Sequence, residues 1–150
     1  RALAEIASIP DAVNPARHAS GIAYFDTYRL ATVAAALARQ ATPAAHAELA
    51  TMAKRSGFAR SAVALGYAVF GTGPEILPFL DTPEAIGFAL GYAARHPQAE
   101  SIYHLALAST GYNRRIAVFG LARLAARDRT VLSRVPNPAD RELVAQWLRR

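Results

Sequence analysis

Glu100 and His104 are the side chains of this 150-residue chain whose types and spacing come closest to a metal or acid–base site. Residues four positions apart share one face of a helix, so the two side chains could act together. A metal site needs a third ligand, however, and the chain has no cysteine and no HExxH, CxxC or EF-hand sequence. The other histidines, His18, His46 and His96, fall near predicted helix ends, where a surface position is the default. We therefore expect no catalytic residue, no metal and no cofactor, and keep a helical enzyme that uses Glu100 and His104 as an alternative.

Arginine side chains indicate a different chemistry, the recognition of negative charge. Residues 113–150 contain nine arginines against three carboxylates, whereas the charges of residues 1–112 cancel, so this end supplies the net charge of +6. We expect an acidic protein surface to bind arginines at helix starts and along this basic end. The expected contact residues are Arg60, Arg114, Arg115, Arg123 and Arg141. Nucleic acid would be attracted by the same charges and stays open as an alternative partner. A second alternative is that these arginines bind no partner and are merely solvated or link neighbouring repeats.

A repeated five-residue sequence predicts the helices that must position these residues. Ala64-Leu65-Gly66-Tyr67-Ala68 returns as Ala89-Leu90-Gly91-Tyr92-Ala93, with an Ala-rich version before it and a weaker one after it. The aligned small residues form a column: Ala36, Gly66, Gly91 and Gly120. Helical sequence that repeats at intervals of this size is typical of stacked helix pairs.

Helix-start signals recur in step with the repeat. Thr42-Pro43, Thr82-Pro83 and Asn137-Pro138 each place a capping side chain before a proline at the first helical position. Pro78 is expected to kink or shorten the helix around it. After a short helix over 2–8, the pattern predicts the pairs 16–24 with 27–40, 43–55 with 58–70, 74–80 with 83–95, 98–109 with 112–126, and 129–135 with 138–150. The first pair is expected to break near Phe25-Asp26.

Three columns of the predicted second helices have expected roles. A glycine inside a helix costs about 1 kcal/mol relative to alanine, so the glycine column indicates that a neighbouring helix backbone passes close by. Two columns four residues apart should build the core: Val33, Val63, Phe88, Ala117 and Leu143, with Leu37, Tyr67, Tyr92, Leu121 and Trp147. The column before the glycine, Leu65, Leu90 and Phe119, either packs under a first helix or forms an apolar contact face for a partner.

Two segments resemble the second helix of HEAT-like repeats, of the short kind related to bilin-lyase repeats. They are Arg60-Ser-Ala-Val-Ala-Leu-Gly66 and Arg115-Ile-Ala-Val-Phe-Gly120. That family often has an Asp in the turn and an Arg at the start of the second helix, which Asp26 with Arg29 and Asp140 with Arg141 match and the repeat around Asp81 does not. The resemblance covers about residues 26–150 and implies a right-handed α-solenoid.

We therefore expect an all-α chain, a single domain over 1–150 made of four to five antiparallel helix pairs at about 16–40, 43–70, 74–95, 98–126 and 129–150. The expected function is a non-catalytic protein-interaction or scaffold domain with a concave helical surface and a basic C-terminal end. A nucleic-acid-binding solenoid, with DNA repair as its enzymatic extreme, is the alternative. The chain begins at Arg1, so it is expected to be a piece of a longer protein. No apolar run is long enough to span a bilayer, and a cytoplasmic location is favoured, with a periplasmic or membrane-anchored one left open.

Overall fold

The computed structural model describes the backbone of residues 22–149 and the side chains of residues 29–149. This part of the chain is all-helical and contains no strand, which confirms the all-α prediction. Its α-helices are α1 (Ile22–Gln40), α2 (Pro43–Ala53), α3 (Gly57–Phe70), α4 (Pro83–Leu90), α5 (Ala99–Leu107), α6 (Gly111–Arg127), α7 (Thr130–Arg134) and α8 (Pro138–Leu148). Two 3₁₀ helices, Pro74–Phe79 and Ala93–Arg95, flank α4. The chain divides into two compact units between Phe79 and Leu80, and each is described by itself.

Most predicted helices are present within a few residues of their expected bounds, but two corrections are needed. The break expected near Phe25-Asp26 is absent, because α1 continues through both residues. The predicted helix 83–95 stops as an α-helix at Leu90 and resumes only as a 3₁₀ turn. Pro97 ends the 3₁₀ turn, because it forces His96 out of the helical region, to φ −83° and ψ 140°. The predicted helix 2–8, the segment 16–21 and His18 lie outside the described residues.

The expected capping residues begin their helices. The hydroxyls of Thr42 and Thr82 accept hydrogen bonds from the third backbone N–H of α2 and α4, at 3.2 Å in both cases. The Asn137 side chain accepts from the N–H of Ala139 at 2.8 Å, and Pro138 follows at the first helical position. Each cap contributes about 1 kcal/mol. Pro78 lies inside a 3₁₀ helix, in agreement with the predicted shortening.

In the first unit, α1 and α3 make the most extensive helix contact. Gly66 makes that contact possible, because a Cβ atom there would lie 2.7 Å from the carbonyl carbon of Ala34. The close backbone approach predicted for the glycine column is thus confirmed at this position. The neighbouring Tyr67 is buried, and its hydroxyl lies 2.7 Å from the Nδ1 atom of His46.

In the second unit, α6 packs against α4, α5, α7 and α8. Gly120 is needed here too, but for a side chain: a Cβ atom would overlap the ring of Tyr103, which packs against α6. At Gly91 the predicted close approach of a neighbouring helix is wrong. This residue follows the end of α4, and the atom nearest to an added Cβ would be the Phe88 carbonyl oxygen at 3.7 Å.

The predicted core columns are only partly buried. Leu37, Tyr67 and Leu121 lie in the core. Tyr92 and Trp147 do not, since 46% of each side chain's surface is accessible, and Phe88 is exposed as well. Tyr92 leaves the core because α4 has already ended, whereas Trp147 lies on a face of α8 that borders an open groove.

Candidate partner-binding groove

A groove of about 690 Å³ runs between α6 and α8 in the second unit. Its lining is mainly aliphatic and aromatic and includes two arginines. The lining residues are Gly111, Arg114, Arg115, Ile116, Val118, Phe119, Leu143 and Trp147. A concave, apolar site with a few charged groups at its edge is the usual form of a binding site.

The groove follows from residue spacing on its two helices. Arg115, Phe119 and Arg123 are four residues apart on α6, so they form one stripe, and all three are exposed. On α8 the same spacing places Leu143 and Trp147 on one face. Arg115, Phe119, Leu143 and Trp147 line the groove, and Arg123 lies one turn beyond Phe119 on the same stripe. We call these five residues, Arg115, Phe119, Arg123, Leu143 and Trp147, the groove residues.

The groove residues include an aromatic pair next to a cation. The ring centroids of Phe119 and Trp147 are 5.7 Å apart with an interplanar angle of 79°, the edge-to-face arrangement that aromatic pairs prefer. The Arg123 guanidinium lies 6.0 Å from the Phe119 ring centroid, within the range of a cation–π interaction. Phe119 and Trp147 nevertheless keep 45% and 46% of their surfaces exposed. This apolar surface is available to a partner.

The other three arginines predicted to bind a partner make contacts within their own unit. Arg60, Arg114 and Arg141 are each the fourth residue of their helix. Arg60 donates a hydrogen bond to the Pro78 carbonyl at 2.7 Å, and Arg141 donates to the Val135 carbonyl at 2.9 Å. These contacts tie helix starts to neighbouring segments. Of the five predicted arginines, Arg115 and Arg123 are the two that make no hydrogen bond or ion pair with the described residues.

Arg114 forms an ion pair with Asp140, the third residue of α8. Its guanidinium lies 2.5 Å from a carboxylate oxygen of Asp140, whose side chain is buried. In the sequence, Asp140 and Arg141 match the Asp and Arg positions of the HEAT-like pattern. In the structure, the carboxylate of Asp140 pairs with an arginine on α6. The ion pair therefore holds the two helices that form the groove.

The contrast between neighbouring arginines gives a stability prediction. Arg114→Glu should lower the free energy of unfolding by about 2 kcal/mol, because it places a second carboxylate beside a buried one. Arg115→Glu, with the same change of charge one residue away, should change it by less than about 0.5 kcal/mol, because Arg115 is exposed and makes no ion pair with the described residues. Urea unfolding of the two variants measures both values, and equal losses would contradict a structural role for the Arg114–Asp140 pair.

The apolar column before the glycines does not present three exposed side chains. Leu65 is half-buried and Leu90 is buried. Only Phe119 is exposed, and its neighbour in the groove is Trp147, which sequence reasoning had assigned to the core. The signal that could have found this site is the four-residue spacing shared by Phe119 with Arg115 and Arg123 and by Trp147 with Leu143.

Glu100 and His104 do not form a metal site in the part of the chain that the structure describes. No group of three or more metal-binding side chains occurs there. The Arg134 guanidinium donates to both carboxylate oxygens of Glu100, at 2.6 and 2.9 Å, while the Nε2 atom of His104 is 4.0 Å away, beyond hydrogen-bonding distance. The hydrogen bond from Arg134 lowers the pKa of Glu100, which makes this carboxylate a weaker base.

This lowered pKa predicts a pH-dependent contribution to stability. A carboxyl whose folded pKa is depressed stabilises the protein above its unfolded pKa and loses that effect as the pH falls through the folded value. Arg134→Gln should therefore lower the melting temperature most near pH 7, and the difference from the original protein should shrink below about pH 4. Melting curves across this range, with Arg129→Gln as an exposed control, measure the difference. Arg134 also pairs with Asp128 at 3.3 Å, so the difference reports both carboxylates. A difference that stays constant with pH would contradict the role of these ion pairs.

Two further observations concern membrane-spanning helices and similarity to known proteins. Among the helices of the described residues, none combines the length and the apolar character that crossing a membrane requires. Comparisons with protein-family models, with curated proteins and with solved structures find no match to the chain. The similarity to HEAT-like repeats therefore stays a prediction from the sequence.

Proposed function

We propose that the chain is a non-catalytic protein-interaction domain whose groove between α6 and α8 binds an acidic, amphipathic segment of a partner protein. The observation that carries the proposal is the exposed Phe119–Trp147 pair. On α6, Phe119 is flanked by the exposed Arg115 and Arg123. Apolar side chains of the partner would cover the aromatic pair, and carboxylates would meet the arginines.

The composition of the groove supports a protein partner. Tryptophan and arginine are over-represented among the residues that contribute most to protein–protein affinity. The aromatic pair lies beside aliphatic side chains, Ile116 and Leu143, in a single concave surface. Burying this surface would contribute a favourable free energy of about 25 cal/mol for each Å² of apolar surface removed from water. Charge at the edge adds selectivity and faster association rather than most of the affinity.

Helix contacts support a repeat architecture for the domain. Within the first unit α1 contacts α3, and within the second α6 contacts α8. These are the helices predicted as second members of successive pairs, and in a HEAT-like solenoid such helices stack on one another and line one surface. We propose that the groove lies on that surface.

Nucleic-acid binding is the second candidate, and the nine arginines of residues 113–150 favour it. Four of them already have acceptors within the second unit: Arg114, Arg134, Arg141 and Arg149. The available positive charge is therefore smaller than the composition indicates. The exposed apolar surface of Phe119 and Trp147 favours an amphipathic protein segment over a phosphate backbone.

Fluorescence anisotropy with dye-labelled probes tests this function. The first probe is an amphipathic peptide with glutamates beside an apolar stripe, and the second has lysine at each glutamate position. The third is single-stranded DNA. We expect the acidic peptide to bind and the basic one not to bind. Failure of the acidic peptide to bind would overturn the proposal, and tight, strongly salt-dependent binding of DNA alone would establish the alternative.

A further inference from the structure

We propose that the segment bound in the groove is an α-helix with two carboxylates seven residues apart along one edge of its apolar stripe. This inference rests on the proposed function and specifies the partner of the same groove. It follows from the positions of the two exposed arginines and from the backbone groups of the groove walls, which are already hydrogen-bonded within their own helices.

The spacing of the carboxylates follows from the arginine stripe. Arg115 and Arg123 are eight residues apart on α6, which places them about 12 Å apart along the helix axis. A partner helix that lies along the groove advances by the same 1.5 Å per residue, and residues seven apart return to nearly the same face after about 10.5 Å. Flexible arginine side chains span the remaining difference. One carboxylate then meets Arg115 and the other meets Arg123.

Phe119 fixes the apolar part of the bound segment. It stands midway between Arg115 and Arg123 on α6, and Trp147 faces it from α8. Apolar side chains of the partner in an i, i+3, i+4, i+7 pattern would cover this pair and reach toward Leu143. This is the pattern by which amphipathic helices dock into grooves.

A helix suits the groove better than an extended strand. Both walls are formed by α-helices, whose interior N–H and C=O groups are already hydrogen-bonded to one another. An extended peptide would bring its own backbone groups against these walls without partners, and buried unpaired backbone groups are costly. A helix satisfies its backbone internally and presents only side chains.

Two peptides of identical composition test the spacing. Both keep an apolar stripe at positions 1, 4, 5 and 8, and the first has glutamates at positions 0 and 7, by analogy with helix-in-groove ligands. The second has them at positions 3 and 7, only about 6 Å apart in a helix but about 13 Å apart in an extended chain. Circular dichroism checks that the helix contents of the two peptides match.

We expect the seven-residue spacing to bind about three- to fivefold more tightly, the gain from one additional exposed ion pair. In the Arg115→Gln/Arg123→Gln variant this preference should disappear. Equal affinity of the two peptides, or tighter binding of the second, would overturn the helical spacing while leaving the proposed function in place. If neither peptide binds, the proposed function fails together with the inference.

Discussion

Gly66→Ala should destabilise the protein by about 2 kcal/mol, although alanine is the better helix former. The added Cβ atom would lie 2.7 Å from the carbonyl carbon of Ala34 and 2.8 Å from its oxygen. These are backbone atoms of α1, so the contact can be relieved only by moving one helix away from the other. The cost of that movement exceeds the gain of about 1 kcal/mol in helix propensity. Urea unfolding, with the midpoint and slope fitted together, measures the loss.

Gly91→Ala is the matched control, because Gly91 occupies the same place in the identical sequence Ala-Leu-Gly-Tyr-Ala. Its backbone is in the right-handed helical region, at φ −58° and ψ −25°, and an added Cβ atom would meet nothing closer than 3.7 Å. Alanine should therefore leave the free energy of unfolding unchanged or raise it by about 0.5 kcal/mol. Equal effects at the two glycines would show that the α1–α3 contact does not depend on a small residue.

Arg115→Glu/Arg123→Glu should weaken binding of the acidic peptide at least tenfold. Each substitution removes an attraction worth up to about 1 kcal/mol at an exposed site and replaces it with a repulsion of similar size. Together they exceed the 1.4 kcal/mol that corresponds to a tenfold change in affinity. Neither arginine makes a hydrogen bond or an ion pair with the described residues, so the fold should be retained. Anisotropy titrations and melting curves of the same preparations measure both properties.

The control for this variant carries the same change of charge elsewhere in the second unit. Arg95→Glu/Arg129→Glu alters two exposed arginines that neither line the groove nor belong to the stripe of Arg115, Phe119 and Arg123. It should weaken binding by less than about threefold, through the general loss of positive charge, and salt should reduce even that effect. Equal losses in the two double variants would mean that net charge, rather than the groove, determines binding.

Most helix bounds could be predicted because they depend on local chemistry. Thr42, Thr82 and Asn137 cap their helices through side chains that bond within one turn. The role of each glycine depends instead on what packs against it. Gly66 meets a backbone, Gly120 meets the Tyr103 ring and Gly91 meets neither, although all three lie in similar sequences.

The candidate site was predictable only in part, for a similar reason. The positive charge of the C-terminal end is visible in the sequence, and so is the four-residue spacing of Arg115 and Arg123. The hydrogen-bond acceptor of each arginine is not visible in the sequence, because tertiary packing brings Asp140 to Arg114 and the Val135 carbonyl to Arg141. The exposure of Trp147 was missed because its column predicted a core residue.

The fluorescence emission of Trp147 tests the groove most directly, because the chain contains one tryptophan and it lies in the groove. A bound acidic peptide should shield the half-exposed indole from water, so the emission should shift to shorter wavelength and saturate at the concentrations at which anisotropy reports binding. The lysine counterpart should leave the emission unchanged. Saturable binding of the acidic peptide with no change in Trp147 emission would place its site elsewhere and contradict binding in the groove between α6 and α8.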